Sequence, residues 1–257
     1  MKKTLLTLIV CLLTVALFVG CSNAQNETDA EQSAPETTKP TDTPSTEEAT
    51  EGNGNEIDIN YYTGIYAAQL DRYHTAISEQ WEEGAYLENE MSALAMYYYE
   101  GNALDNIGYT FIDLDNNGIC ELIIGAILKA EQDPIVFELW TIKDDAPTML
   151  AQSGSRNRYF LQYDEEVELW SLANEGENGA ANHAVYFLQI SEGELNVTQG
   201  IVFDALANEE NPWFMAYDLD WDVSNDTQTD EETANAVIEA GRRLYIAAEY
   251  IPYSQYK

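Results

Sequence analysis

Oxygen-bearing side chains alternate along one short segment near the middle of the chain. Asp113, Asp115 and Asn117 stand at its first, third and fifth positions, and Gly118 and Glu121 stand at its sixth and ninth. Calcium takes about six to eight oxygen ligands in flexible geometry, and alternate side chains of a turning backbone converge on one point. Glycine at the sixth position permits the sharp turn of such a loop. The spacing therefore predicts a structural Ca²⁺ site.

Two further features define this loop. The Ile119 carbonyl is expected to supply another ligand, and Glu121 to bind directly or through water. The loop differs from an EF-hand because Ile124 stands at the twelfth position, where an EF-hand has a bidentate Glu, and because strand-like residues flank it. The alternative is a hairpin whose polar residues serve only the turn. Cys120 is expected to be a small buried side chain, since its surroundings are anionic.

Aromatic and basic residues form the remaining candidate ligand contacts. Trp213 and Trp221 belong to an aromatic group that serves either as a sugar-stacking platform or as core. Arg156 and Arg158 alternate on one predicted strand face, where they could clamp a carboxylate or phosphate, although internal ion pairing is the expected role. The acids at 218, 220 and 222 are interpreted as one face of a strand, because Val223 replaces the turn glycine of a calcium loop.

The N-terminus has the pattern of an export signal. Two lysines precede an apolar run over 5–19, which is short for a spanning helix and typical of a signal-peptide core. Residues 17–21, Leu-Phe-Val-Gly-Cys, resemble a bacterial lipobox in which Phe18 replaces the preferred Leu. The resemblance implies a signal peptide over 1–20, cleavage before Cys21, and lipid with acyl chains such as palmitate on that cysteine. The alternative is an ordinary secretory signal.

Cysteine content agrees with a lipid anchor on the extracytoplasmic face of a bacterial cell membrane. Cys11 lies in the predicted signal peptide and Cys21 carries lipid, so Cys120 alone remains and no intramolecular disulfide can form. Two or more acyl chains suffice for stable attachment, and the membrane is therefore the one partner that the sequence predicts.

Composition separates a tether from a folded domain. Residues 21–57 are rich in Thr, Glu and Pro, cannot bury enough apolar surface to fold, and are predicted to be a disordered acidic linker. Residues 58–257 hold all five Trp and all seventeen Tyr, and are predicted to be the globular domain. The formal charge of −35 excludes a nucleic-acid binder that works through backbone phosphates.

Hydrophobic periodicity predicts an α+β domain with N-terminal helices, an antiparallel β-meander and a C-terminal helix. Helices are predicted over 62–82 and 87–99, and a third follows a capping box at 229–232 and ends at Pro252. Period-two segments predict strands over 109–112, 122–127, 135–142, 159–163, 167–172, 184–190 and 195–203.

The run over 109–125 also resembles a segment common in uncharacterised extracytoplasmic lipoproteins of Firmicutes-type bacteria. That resemblance implies an N-terminal helix with a C-terminal acidic α+β region, and it implies no activity. We therefore predict a surface lipoprotein with a calcium-stabilised binding domain whose protein or glycan ligand is unknown. The alternatives are a surface glycan hydrolase that uses carboxylates and a solute-binding subunit of a transporter. Enzymatic activity is the less expected role, because His74 and His183 lie in no catalytic motif.

Overall fold

The structure is a computed structural model that describes residues 57–128 and 133–256. The predicted signal peptide, the predicted lipid attachment at Cys21 and all but the last residue of the predicted linker lie outside these described residues.

An eleven-stranded antiparallel sheet forms the body of the described residues. The strand order is β10-β9-β8-β7-β6-β5-β3-β2-β1-β11, and β4 pairs with β3 beside this path. The strands are β1 Ile107–Ile112, β2 Glu121–Ala126, β3 Ile135–Lys143, β4 Ala146–Gln152, β5 Asn157–Asp164, β6 Leu169–Glu177, β7 Asn182–Ser191, β8 Glu194–Asp204, β9 Trp213–Ala216, β10 Thr227–Gln228 and β11 Ile251–Pro252.

Short helices surround this sheet, and the longest has 12 residues. They are α1 Ile59–Ile65, α2 Ala67–Ser78, α3 Glu83–Glu88, α4 Ala103–Asn106 and α5 Glu231–Arg242, with 3₁₀ helices at Ala93–Tyr98, Val223–Asn225 and Tyr253–Gln255.

The predicted fold class, α+β with N-terminal helices, is wrong, because the protein is β-rich and its helices are short. The predicted helix over 62–82 is interrupted at Tyr66 and ends near Gln80, whose φ is +51°. The predicted helix over 87–99 is replaced by α3, a turn at Glu90 and a 3₁₀ helix. Left-handed residues at Gln80 and Glu90 interrupt the helical backbone, and Tyr66, with φ of −93° and ψ of +16°, separates α1 from α2. Several short segments therefore carry the helical spacing of apolar residues.

The C-terminal helix also differs from its prediction. Asp230 is its N-cap and accepts a hydrogen bond from Thr233 N at 2.8 Å, which is one residue later than the predicted capping box. The helix ends at Arg242, and Pro252 lies in β11. Asp218, Asp220 and Asp222, predicted on a strand, lie in a bend before the 3₁₀ helix at 223–225.

Side chains alternate between the two faces of the sheet. On one face, α1 to α3 pack over residues of β1 to β3, such as Phe111 and Leu122, while α5 packs over Val185 and Phe187 of β7. The opposite face carries a continuous apolar cluster from β2 to β9, which includes Tyr186. The helices and the loops therefore hold this sheet rigid where the candidate sites lie.

Candidate metal centre

A tight connection between β1 and β2 carries the predicted calcium loop. The two strands pair in register from Ile107 with Ala126 to Ile112 with Glu121, so Glu121 lies beside the start of the loop. Continuous pairing up to Ile112 fixes both ends of the segment between them. The strand-loop-strand setting that the sequence predicted is confirmed.

Three carboxylates converge in this connection. Oxygen atoms of Asp113, Asp115 and Glu121 lie within 4.8 Å of one another, close enough for one ion to contact all three. Asp113 and Asp115 are half-buried, whereas Glu121 is fully buried. The three residues therefore form a cluster that can hold a metal ion.

Backbone amides shape the loop around Asp113. Its Oδ1 accepts a hydrogen bond from Asn117 N at 3.0 Å, and its Oδ2 accepts one from Gly118 N at 2.9 Å. Asn116 and Gly118 adopt left-handed conformations, with φ of +57° and +86°. Gly118 thus provides the turn that was predicted for the sixth position, because glycine has no Cβ to oppose a positive φ.

Glu121 is the buried member of the cluster. Its Oε2 accepts a hydrogen bond from Leu114 N at 2.8 Å, and its Oε1 accepts one from Thr141 Oγ1 at 2.8 Å. Burial raises the pKa of Glu121 to about 7, and the charges of Asp115 and Asp113 add to that rise against the two hydrogen bonds. Burial also raises the pKa of Asp115. Three acids held this closely oppose one another's ionisation, and a bound cation relieves that cost.

The two other predicted ligands lie beside the cluster. Asn117 donates from Nδ2 to Asp115 Oδ2 at 3.0 Å, while its Oδ1 accepts a hydrogen bond from Ile119 N at 2.7 Å. The Ile119 side chain is exposed at the end of the loop. Coordination by Asn117 would require Oδ1 to turn from Ile119 toward the carboxylates.

Two tyrosines hold the far side of the loop against the helical layer. The Tyr62 hydroxyl accepts from Cys120 N at 3.0 Å and donates to Gly118 O at 3.4 Å, and the Tyr66 hydroxyl donates to Cys120 O at 3.1 Å. The sequence analysis places both tyrosines in the predicted helix over 62–82 and connects neither of them to the loop. A repeat of tyrosines at helical spacing was the available signal.

Cys120 is buried, as predicted, with 5% of its surface exposed. Burial raises the pKa of its thiol, and the nearby charges of Asp113 and Glu121 act in the same direction. A thiol held in its protonated form is a poor nucleophile.

The two tryptophans do not form a shared platform. Trp213 packs edge-on against Phe203 on the α5 face of the sheet, with 4.9 Å between the ring centroids. Trp221 packs against Tyr186 at 6.2 Å in the cluster on the opposite face. Each is partly buried on its own face of the sheet, so these two rings do not form the sugar-stacking platform that was one of the two alternatives.

The two arginines come together at the start of β5. Neither guanidinium of Arg156 or Arg158 lies within 4.0 Å of a carboxylate of the described residues, so the expected internal ion pairs are not formed there. Arg158 Nη2 donates to Ser155 O at 3.4 Å, and both side chains line one cavity.

Comparisons with protein-family models, with curated protein sequences and with solved structures give no match to this chain. Within residues 57–128 and 133–256, no helix combines the length and the apolar character needed to cross a membrane.

Proposed function

We propose that this protein is a lipid-anchored binding module of a bacterial cell surface, whose β1–β2 loop is held by Ca²⁺. The observation that carries the metal assignment is the convergence of Asp113, Asp115 and Glu121 within 4.8 Å. Carboxylate oxygens are the ligands that calcium prefers, and the site offers no nitrogen or sulfur donor among its three acids. The N-terminal signal pattern and Cys21 support the location.

The role of the ion follows from the electrostatics of the loop. Without a cation, mutual repulsion among the three acids opposes the turn between β1 and β2. Calcium outside the cell is plentiful enough to fill a weak site with a Kd of about 0.1 mM, in the range of extracellular modules. At about 1 mM calcium such a site adds about 1.4 kcal/mol to the free energy of unfolding.

Packing of the aromatic residues supports a binding module over a glycan hydrolase. The hydrolase alternative needs tryptophan rings as sugar subsites beside a pair of catalytic carboxylates. Trp213 and Trp221 instead pack on opposite faces of the sheet. The antiparallel pairing of the described strands likewise gives no support to the two parallel lobes of a solute-binding subunit.

Thermal unfolding with and without chelator tests the calcium assignment. We expect chelation to lower the Tm by about 2–4 °C, and Ca²⁺ to restore it more fully than Mg²⁺, which loses its waters reluctantly. Asp115→Ala is expected to remove the calcium response while the chain stays folded.

Asp164→Ala provides a matched control. Asp164 also accepts a backbone hydrogen bond in a turn, from Glu166 N at 2.9 Å, but it lies outside the three-acid cluster. This variant is expected to keep the full calcium response. Calorimetry that shows no heat of calcium binding, together with a Tm that chelator does not change, would contradict the assignment. The loop would then be a simple turn.

A further inference from the structure

A cavity of about 290 Å³ lies where β5, β6 and β7 meet the end of α5. Arg156 lies in the turn before β5, Arg158 near the start of β5, His183 in β7, and Arg242 is the last residue of α5. Strand pairing sets Arg158 opposite Glu175, while Glu177 pairs with His183. Rigid elements on three sides therefore hold its charged groups.

Positive charge is concentrated at this one place. Of the six Lys and Arg residues in the described ranges, three line this cavity, although the whole chain has a formal charge of −35. Charges farther apart than about 8 Å are largely screened at physiological ionic strength, so an incoming ligand meets mainly the charges that line the cavity. These are the three guanidinium groups and the carboxylates of Glu175 and Glu177, and Arg242 is paired with Glu175.

The three arginines of the cavity differ in their contacts with other residues of the protein. Arg242 donates from Nε and Nη2 to the two oxygens of Glu175, both at 2.8 Å, and the Tyr245 hydroxyl also donates to Glu175 at 2.8 Å. That carboxylate is therefore fully engaged inside the protein. Arg156 and Arg158 are exposed and make no salt bridge with the described residues. Apart from Arg158 Nη2, which donates to Ser155 O, their N–H donors therefore remain available to a ligand.

Acceptor groups stand beside these donors. Glu177 and Ser155 also line the cavity, and both side chains are exposed. The His183 ring stacks on the Phe203 ring, with 4.6 Å between the ring centroids. Burial lowers the pKa of His183 and so favours a neutral ring on this side of the cavity. The cavity thus combines donors for an oxyanion with acceptors for hydroxyl groups.

We propose that this cavity binds a hydroxylated carboxylate of monosaccharide size, such as one uronic acid unit of an acidic glycan. Arg156 and Arg158 receive the carboxylate, and Glu177 and Ser155 accept hydrogen bonds from ligand hydroxyls. The volume is at the lower end of ordinary ligand sites, which suits a single sugar unit. A doubly charged phosphate is disfavoured because Glu177 would repel it more strongly than a singly charged carboxylate. The inference rests on the proposed role as a binding module and is independent of the metal loop.

Ligand titration followed by NMR or calorimetry tests this assignment on the full chain. The probes are sodium galacturonate and sodium glucuronate, with glucose and inorganic phosphate in parallel. We expect a uronate to bind more tightly than glucose or phosphate, and to bind more weakly as salt is added. The double variant Arg156→Gln/Arg158→Gln is expected to weaken uronate binding about tenfold or more, since both charged contacts are lost.

Arg243→Gln is the matched control, because Arg243 is exposed next to Arg242, lies outside the cavity and is expected to leave uronate binding unchanged. If the double variant does not fold, Arg156→Gln alone is measured, with a smaller loss expected. Absence of uronate binding, equal binding of glucose, tighter binding of phosphate, or an unchanged affinity in the arginine variants would overturn the proposal. The calcium response of the Tm in the double variant reports on the metal loop separately.

Discussion

The Tyr62 hydroxyl holds part of the β1–β2 loop in place. The Tyr62 hydroxyl contacts both Cys120 N and Gly118 O, and Cys120 is buried. Tyr62→Phe would leave the Cys120 N–H buried without a partner, which costs about 1–3 kcal/mol. We expect a lower midpoint of denaturant unfolding and a weaker calcium affinity.

Tyr61→Phe is the neighbouring control for this experiment. The Tyr61 side chain is 59% exposed, so removal of its hydroxyl is expected to change neither quantity. Equal losses in the two variants would show that Tyr62 acts only through general packing of α1.

Asp226 is expected to make the stability of the protein depend on pH. Burial raises the pKa of Asp226 to about 6, and repulsion from Asp218, Asp220 and Asp222 adds to the rise. Since the pKa is higher in the folded than in the unfolded state, the folded state binds more protons between about pH 4 and 6. The ionised group is therefore destabilising above pH 6, and this cost disappears as the pH falls below 4.

We accordingly expect Asp226→Asn to raise the Tm at pH 7, with a gain that shrinks to nothing near pH 4. Asp222→Asn should give no comparable gain at pH 7, because hydrogen bonds from Ser224 lower the pKa of Asp222 and offset its repulsion of Asp226. Unfolding curves of both variants over this pH range measure the two differences. A gain for Asp226→Asn that does not change with pH would contradict the electrostatic explanation.

The spacing of residues close together in the sequence was the reliable signal for the carboxylate cluster. Asp113, Asp115 and Glu121 lie within nine positions, and Gly118 supplies a turn that few other residues tolerate, so the cluster could be predicted from the sequence. The hydroxyl of Tyr62 reaches Cys120 from 58 positions away. No periodicity in the sequence encodes which distant group satisfies a given backbone amide.

Among the elements, α5 packs unusually close to the sheet at Gly241. A Cβ built at that position would overlap the Phe187 ring, and the Gly241 carbonyl accepts a hydrogen bond from Gln162 Nε2 at 2.7 Å. Gly241→Ala is expected to destabilise the protein by about 1–3 kcal/mol, because the last turn of the helix must move away from β7. Denaturant unfolding measures the change.

Gly84→Ala is the matched comparison in another helix, where an added Cβ meets no neighbouring atom. Gly84 lies in α3, and no atom stands within 4 Å of the point that an alanine Cβ would occupy there. Alanine should therefore stabilise the protein by up to about 1 kcal/mol through helix propensity. Similar effects of the two substitutions would mean that α5 does not depend on the close contact with Phe187.

Strands were easier to predict than helices in this chain, and the reason is physical. The continuous apolar run over 184–188 in β7 follows directly from burial on both faces of the sheet. The helical spacing of apolar residues over 62–82 and 87–99 likewise reflects which side chains are buried. It does not show where a helix stops, and Gln80 and Glu90 adopt left-handed conformations that divide the helices. β4 was not predicted because Pro147 interrupts the pattern, and a proline is tolerated where the strand has a free edge.

At the scale of the whole molecule, net charge bears on the predicted membrane attachment. The full chain has a formal charge of −35, which opposes contact with anionic lipid head groups. Within residues 57–128 and 133–256, no helix is long and apolar enough to span a bilayer. The proposed attachment to the cell surface rests on the predicted lipid at Cys21, which lies outside the described residues.

Replacement of one cysteine tests this attachment. Cys21→Ala is expected to abolish labelling with radioactive palmitate and to leave the precursor uncut after Gly20, since lipid transfer and cleavage both need that sulfur. Cys11→Ala removes the other cysteine of the N-terminal region, ten positions earlier, and should keep both labelling and cleavage. Membrane fractionation of the two variants measures the consequence, with Cys11→Ala retained as a mature lipoprotein and Cys21→Ala left as uncleaved, unlabelled precursor. Equal palmitate labelling of the two variants would show that the segment is an ordinary secretory signal and that Cys21 is incidental.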